Sequence, residues 1–388
     1  MDSAVKKLTY LLSAYLKKEK ISISFNDEEL SGLYSLSMAH DIAHITGAAL
    51  KENGMLKDGE IKDAFERAVF TAVYRNGKLS YELSNIKKCF NGKGIDFIPL
   101  KGAVMMNCYP EPWMRTSSDI DVLVREEDLK IAADALKELF GCYYKPKGSH
   151  DIQFISQNNV HVELHYRLFK ENEAANAEKP FSRIFDSALR VGTTSEYLMT
   201  EEMFYYYHIA HMAKHIMNGG CGIRPFLDLW ILDRRGGYDE EKEKALLKEG
   251  GLLSFSESAK KLSRVWFEGK EHDEVTKALE EYVVSGGVYG NMENKVLARQ
   301  TEKGGGKIRY ALSRIWLPYE TMRYHYPTLD GKKALLPLYE VIRWLKLIFF
   351  GGIKRSVNEL KINKDIGKST AEGAHELLSE LGLIETEE

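Results

Sequence analysis

The segment Phe97–Val124, FIPLKGAVMMNCYPEPWMRTSSDIDVLV, decides how this chain is read. It opens on the apolar run Phe97–Leu100, turns through Lys101-Gly102 into a helix-compatible stretch (Ala103–Cys108), and closes on Ser117-Ser118-Asp119-Ile120-Asp121-Val122-Leu123-Val124. That last run predicts a strand. Residues two apart on a strand share a face, so Asp119 and Asp121 stand side by side while Ile120, Val122 and Val124 face the other way. Adjacent carboxylates repel, and each is expensive to desolvate without a counter-ion. A divalent cation is the simplest reason to place them together. Mg2+ suits an all-oxygen pair best, with Mn2+ as the second candidate. Taken alone, the pair also fits an edge strand whose charges discourage aggregation.

Working outward, His161-Val162-Glu163-Leu164-His165 predicts a second strand on which His161, Glu163 and His165 share a face. Glu163 is the candidate third carboxylate, with Asp151 the next to consider. Ile152–Ser156 and Val160–Leu164 alternate around Asn158-Asn159, a hairpin signal. Ile95–Leu100 reads as a strand and Glu126–Leu139 as a helix ended by Gly141. The hairpin brings antiparallel pairs, which argues for a mixed sheet and against a doubly wound dinucleotide fold. No G-x-G-x-x-G follows a strand, and no Walker A motif is present.

Gly102, the Asp119/Asp121 run and the later Glu163 resemble the nucleotidyltransferase superfamily of DNA polymerase β-like enzymes. Leu100-Lys101-Gly102, Tyr109-x-x-Pro112-x-x-Arg115, Asp119-Ile120-Asp121 and Glu163-Leu164-His165 resemble an uncharacterised bacterial nucleotidyltransferase family within it. The resemblance is specific over about residues 97–169. It implies an α+β fold: a nucleotidyltransferase-like palm with a mixed β-sheet, flanked by N- and C-terminal helical regions. It also implies transfer of a nucleoside monophosphate from a nucleoside triphosphate to an acceptor, be it a small molecule, a protein or an RNA end, with release of pyrophosphate. Asp119, Asp121 and Glu163 are then catalytic and metal-binding. Gly102 lets the backbone approach the triphosphate, Ser117 and Ser118 donate to its phosphates, and Lys101 and Arg115 are phosphate cations. The chain departs from the superfamily at Ala103, where a second Gly or Ser is usual, and in the longer gap before Asp119.

Composition narrows the class further. With 44% apolar and 29% charged residues in 388, the chain has material for two or three cored domains. The expected division is 1–90, helical; 91–175, the palm; and 176–388, helical. A net charge of −3 disfavours a long nucleic-acid partner. Cys89, Cys108, Cys142 and Cys221 form no close pair, which predicts free thiols. The N-terminal stretch reads as an amphipathic helix, not a signal peptide, and no apolar run reaches spanning length. A cytoplasmic protein with no membrane partner is the expectation. The alternatives are a nucleotide-binding regulator without turnover and a helical interaction protein that uses the palm as a scaffold.

In the flanks, helices are predicted over Ser37–Leu50 and Glu60–Tyr74, with Asn76-Gly77 as a break and a new helix from Ser80. His40 and His44 sit one turn apart and read as packing residues. His208, His211 and His215 share a helix face and read as cleft-facing or packing. Arg224 and Asp228 are spaced to pair with each other. Thr301–Lys307 reads as a glycine-rich loop, Ala334–Phe350 as an apolar helix packed in a bundle, and Lys368–Glu388 as a closing helix.

Overall fold

The structure is a computed structural model that describes residues 3–141, 151–169, 176–288, 290–301, 306–349 and 353–384. Cys142, most of the 301–307 loop and the last four residues lie outside them. Among the described residues a four-stranded mixed sheet forms in the order β1-β2-β4-β3. The strands are β1 (Phe97–Pro99), β2 (Asp119–Val124), β3 (Asp151–Ile155) and β4 (His161–His165). β1 runs antiparallel to β2, β2 parallel to β4, and β3 antiparallel to β4. The helix Leu129–Phe140 carries the crossover after β2 and ends on the left-handed Gly141. The β3–β4 hairpin turns at Asn158-Asn159. Asn159 adopts φ 56°, a left-handed value that asparagine tolerates better than most residues. This α+β arrangement of a small mixed sheet among helices is the fold the sequence implies.

Strand alternation divides the core. Ile120, Val122, Val162, Leu164 and Phe154 point to one face, against Ile86 and Phe90 of the helix Glu60–Lys93 and Leu136 of the helix Leu129–Phe140. Ile98, Leu100 and Leu123 point to the other face. They join a larger core that runs from Val5 through Tyr206, Phe226 and Trp266 to Leu383, so all three expected regions feed it. Asp119, Asp121 and Glu163 belong to this second face by register.

Two expectations for the N-terminal flank need correction. Asn76-Gly77 does not break the chain: one helix runs from Glu60 to Lys93. Phe65 anchors one half in the large core while Leu83, Ile86 and Phe90 anchor the other beneath the sheet. A helical glycine costs about 1 kcal/mol, less than burying any one of these side chains returns. Conversely, Ser37–Leu50 is two helices, Asp27–Ala39 and Ala43–Glu52, parted where Asp41 takes φ 53°.

The apolar helix Leu336–Phe349 does form, but it packs along one side alone: Leu336 and Tyr339 meet Leu317, Met322 and Leu329, while Leu338, Val341, Leu345, Ile348 and Phe349 are exposed. Its one buried residue is Glu340. The closing helix runs over Lys368–Glu380, and the acidic end expected to fray, residues 385–388, lies outside the described residues.

Candidate active site

The site is built from the ends of β1 and β2 and the middle of β4. The β2–β4 register sets Asp121 beside Glu163, Asp119 beside His161 and Leu123 beside His165. Asp121 is buried, and both its oxygens meet cationic groups. His165 Nε2 lies 2.8 Å from Oδ1, and Lys101 Nζ lies 3.4 Å from Oδ2. His165 Nε2 also lies 3.3 Å from Glu163 Oε2, while Gln153 Nε2 approaches Glu163 Oε1 at 3.3 Å. Gln153 also donates to Asp151, at 2.9 Å. One ligand atom each from Asp121, Glu163 and His165 fit within 4.8 Å of one another.

The electrostatics follow from this packing. Burial alone raises the Asp121 carboxyl. The Lys101 ammonium and the His165 ring outweigh it and hold Asp121 well below the usual carboxylate range. Burial lowers His165, but its hydrogen bonds to Asp121 and Glu163 win and lift it to about 9. Asp119 gains less from Lys101 and from its Ser118 hydrogen bond than it loses. Burial and the neighbouring Asp121 charge push it up to about 6. The paired aspartates therefore differ: one is an anchored anion, the other a frustrated one.

Lys101 reaches Asp121 from an unusual backbone. Its φ of 39° and ψ of −112° are rare for a residue with a side chain. The turn is held by Leu100 N–H, which donates to Asp121 O at 3.0 Å. Gly102 is a close-approach glycine. A Cβ there would lie 1.7 Å from Ser117 Oγ, so only glycine lets the serine lie against this turn. A small cavity opens at this point, lined by Asn76, Leu83, Gly102, Ser117 and Asp119. Ser118 hydrogen-bonds to Asp119.

The long gap before Asp119 is docked from both flanks. Asp228, fully buried on the helix Arg224–Arg235, accepts from Arg115 Nε at 2.8 Å and from Tyr109 Oη at 2.7 Å. His44 Nε2 lies 2.8 Å from Met114 O, and Thr116 Oγ1 donates to Asp41 at 3.2 Å. Asp41 in turn pairs with Arg224, so the expected Arg224–Asp228 pair gives way to Arg224–Asp41 and Arg115–Asp228. Arg115 lines the cavity as well, and its guanidinium is hydrogen-bonded to Asp228 and to the Thr116 carbonyl. His40 is a packing histidine, accepting from Ile223 N–H at 3.2 Å, as His44 is. His208 meets the Pro225 carbonyl at 2.8 Å, and His211 and His215 touch through their Nε2 atoms at 3.2 Å.

The structure thus brings together Lys101, Gly102, Arg115, Ser117, Ser118, Asp119, Asp121 and Glu163. His165 is the residue missed. Its place on the Glu163 face was legible, but its reach across to Asp121 depends on a strand pairing that no local pattern states.

A mixed-sheet palm with a carboxylate pair facing a third carboxylate defines the class: a nucleotidyltransferase-like domain. The family described as "Uncharacterised nucleotidyltransferase" matches residues 26–268, more than half the chain, and the chain belongs to that family. The match takes in Asp41, His44 and Asp228 as well as the palm, so the docked loop lies inside the family's extent. Neither a curated protein nor a solved structure matches the chain.

Proposed function

We propose that this chain is a divalent-metal-dependent nucleotidyltransferase that moves a nucleoside monophosphate from a nucleoside triphosphate, ATP among the candidates, to an acceptor hydroxyl. The observation that carries the reading is the Asp119-x-Asp121 pair in register beside Glu163, in a chain of this family. The donor set fits a divalent cation: Asp121, Glu163 and His165 each offer a ligand atom within 4.8 Å of one another, and Asp119 adds a carboxylate on the same strand face as Asp121. Mg2+ is our first choice, and the His165 nitrogen keeps Mn2+ as the second. When bound by Asp119, Asp121 and Glu163, such an ion supplies positive charge against the phosphoryl oxygens.

The chain's own groups do the rest. Ser117 and Ser118 donate to the phosphates beside Gly102, and Lys101 adds a cation there. Glu163 takes the acceptor proton as that oxygen bonds to the α-phosphorus. The bond from the α-phosphorus to the bridging oxygen breaks, and pyrophosphate leaves. Arg115 serves this site indirectly, by fixing the loop that ends in Ser117. Residues 91–175 are then the catalytic unit, and the helical flanks clamp its loop. The free thiols of Cys89, Cys108 and Cys221 suit a reducing compartment, which supports a cytoplasmic location.

Thermal shift with each triphosphate, with and without Mg2+ or Mn2+, tests the binding half by mass action. Pyrophosphate release in a cell extract tests the transfer half. Metal-dependent stabilisation without release would make the chain a nucleotide-binding regulator. No stabilisation by any triphosphate would remove the reading.

A further inference from the structure

The helix Leu336–Phe349 turns an apolar stripe outward. Its inner side is mixed, with Leu336 and Tyr339 packed against Leu317, Met322 and Leu329 beside its polar residues. Glu340, its buried residue, accepts from Leu317 N–H at 2.6 Å and pairs with Arg343 at 2.8 Å. Arg343 and Trp344 both donate to the Ile315 carbonyl, at 2.7 and 3.0 Å. Leu338, Val341, Leu345, Ile348 and Phe349 are all exposed, Phe349 at 76%. At 100° per residue these five fall within an arc of about 100°, one continuous stripe. The apolar surface does not stop at the helix. Ile315 and Trp316, where the helix Gly306–Ile315 ends against it, are exposed as well. A contiguous exposed stripe of this kind marks a surface that something covers.

Charge identifies the cover. Positions 306–368 hold thirteen Lys and Arg against five Asp and Glu, a net of +8 in a chain whose total is −3. Exposed Lys332 and Lys333 precede the helix, Lys346 lies on it and exposed Lys354 follows it. A second copy meeting this face symmetrically would set positive against positive. An anionic lipid surface meets both halves of the pattern, taking the stripe into the acyl boundary and the lysines among the headgroups. A helix of 14 residues is too short to span a bilayer, and no helix among the described residues is long and apolar enough to do so.

We propose that Leu336–Phe349, with the adjoining Ile315–Trp316 edge, docks this protein on an anionic membrane surface. The segment lies beyond the family match, which ends at residue 268, and the inference does not depend on nucleotidyl transfer. It replaces the expectation of no membrane partner with peripheral binding.

The test is co-sedimentation of the full chain with vesicles of phosphatidylcholine alone and with vesicles containing phosphatidylglycerol. The protein should pellet with the anionic vesicles and be released as salt rises. Leu345→Ser with Ile348→Ser should weaken this binding by about a hundredfold or more, since burial of each side chain contributes roughly tenfold to a hundredfold. Lys332→Glu with Lys333→Glu should weaken it by at least about twentyfold, at roughly fivefold per charge lost. Circular dichroism of both variants should match wild type, because the changed positions are exposed. Wild-type protein that stays in the supernatant with anionic vesicles would overturn the proposal, as would a serine variant that pellets like wild type. So would wild-type self-association that the serine variant lacks, if neither binds vesicles, because the face would then belong to a second copy.

Discussion

The two site aspartates should respond to neutralisation in opposite directions. At neutral pH in the absence of metal, Asp119 carries a charge that burial and Asp121 disfavour. Its folded value near 6, against 3.8 for a free carboxyl, is 2.2 pH units of penalty. At 1.36 kcal/mol per unit that is about 3 kcal/mol. Asp119→Asn removes it, so the metal-free protein should gain between about 1 and 3 kcal/mol. Asp121 is the reverse. It neutralises Lys101 and His165 in a buried site. Asp121→Asn leaves both cations without their shared anion, a loss of about 3–5 kcal/mol for a broken buried pair. The pH sign is fixed as well. A carboxyl whose folded value is raised costs stability above that value and nothing below its unfolded value. The Asp119→Asn gain should therefore be full above pH 6, roughly halved by pH 5, and absent below 3.8. Urea unfolding in EDTA at pH 7.5 and pH 5 reads both effects from the midpoints. Midpoints that move in the same direction for the two variants at pH 7.5 would refute the assignment of Lys101 and His165 to Asp121.

The other predictions rest on separate parts of the site. Glu163→Gln should leave metal-dependent nucleotide binding intact by calorimetry while cutting pyrophosphate release by ~10²–10⁴-fold; retained turnover would exclude Glu163 as the base. Gly102→Val should push Ser117 from its place and raise the apparent Kd for triphosphate roughly tenfold to a hundredfold with a native circular dichroism spectrum. Unchanged affinity would put the triphosphate elsewhere. Asp228→Asn should destabilise by about 3–5 kcal/mol, because Arg115 is left buried without its carboxylate; a denaturation midpoint equal to wild type would dissolve the docked-loop account. His40 is lowered by burial to about 4 from 6.5, so its neutral form stabilises the fold above pH 6.5 and that share is lost as pH falls toward 4. In His40→Gln the slope of stability against pH across that window should shrink, by about 3 kcal/mol in total.

The parts of this protein written in short periods were legible in its sequence. Asp119 and Asp121 share a face because strands alternate, and Asn158-Asn159 turns the hairpin because asparagine accepts left-handed backbone. What sequence reading missed depends on long-range contact. Arg115 and Asp228 lie 113 positions apart, and for Asp228 the nearer Arg224 fits helical spacing equally well. His165 becomes a site residue only once β2 and β4 pair. The break expected at Gly77 fails because two cores hold the helix at both ends. In Leu336–Phe349 the period was right and its direction unreadable. Periodicity finds an apolar face but does not say whether that face turns toward the protein or away from it.

Following the α-phosphate separates transfer from mere binding. A triphosphate labelled at the α-phosphorus is incubated with the protein, a cell extract and Mg2+ or Mn2+, beside an EDTA control and the Asp121→Asn variant. Label should move onto an acceptor in step with pyrophosphate, only with wild-type protein and only with metal. Equal labelling by Asp121→Asn, or labelling undiminished in EDTA, would contradict it.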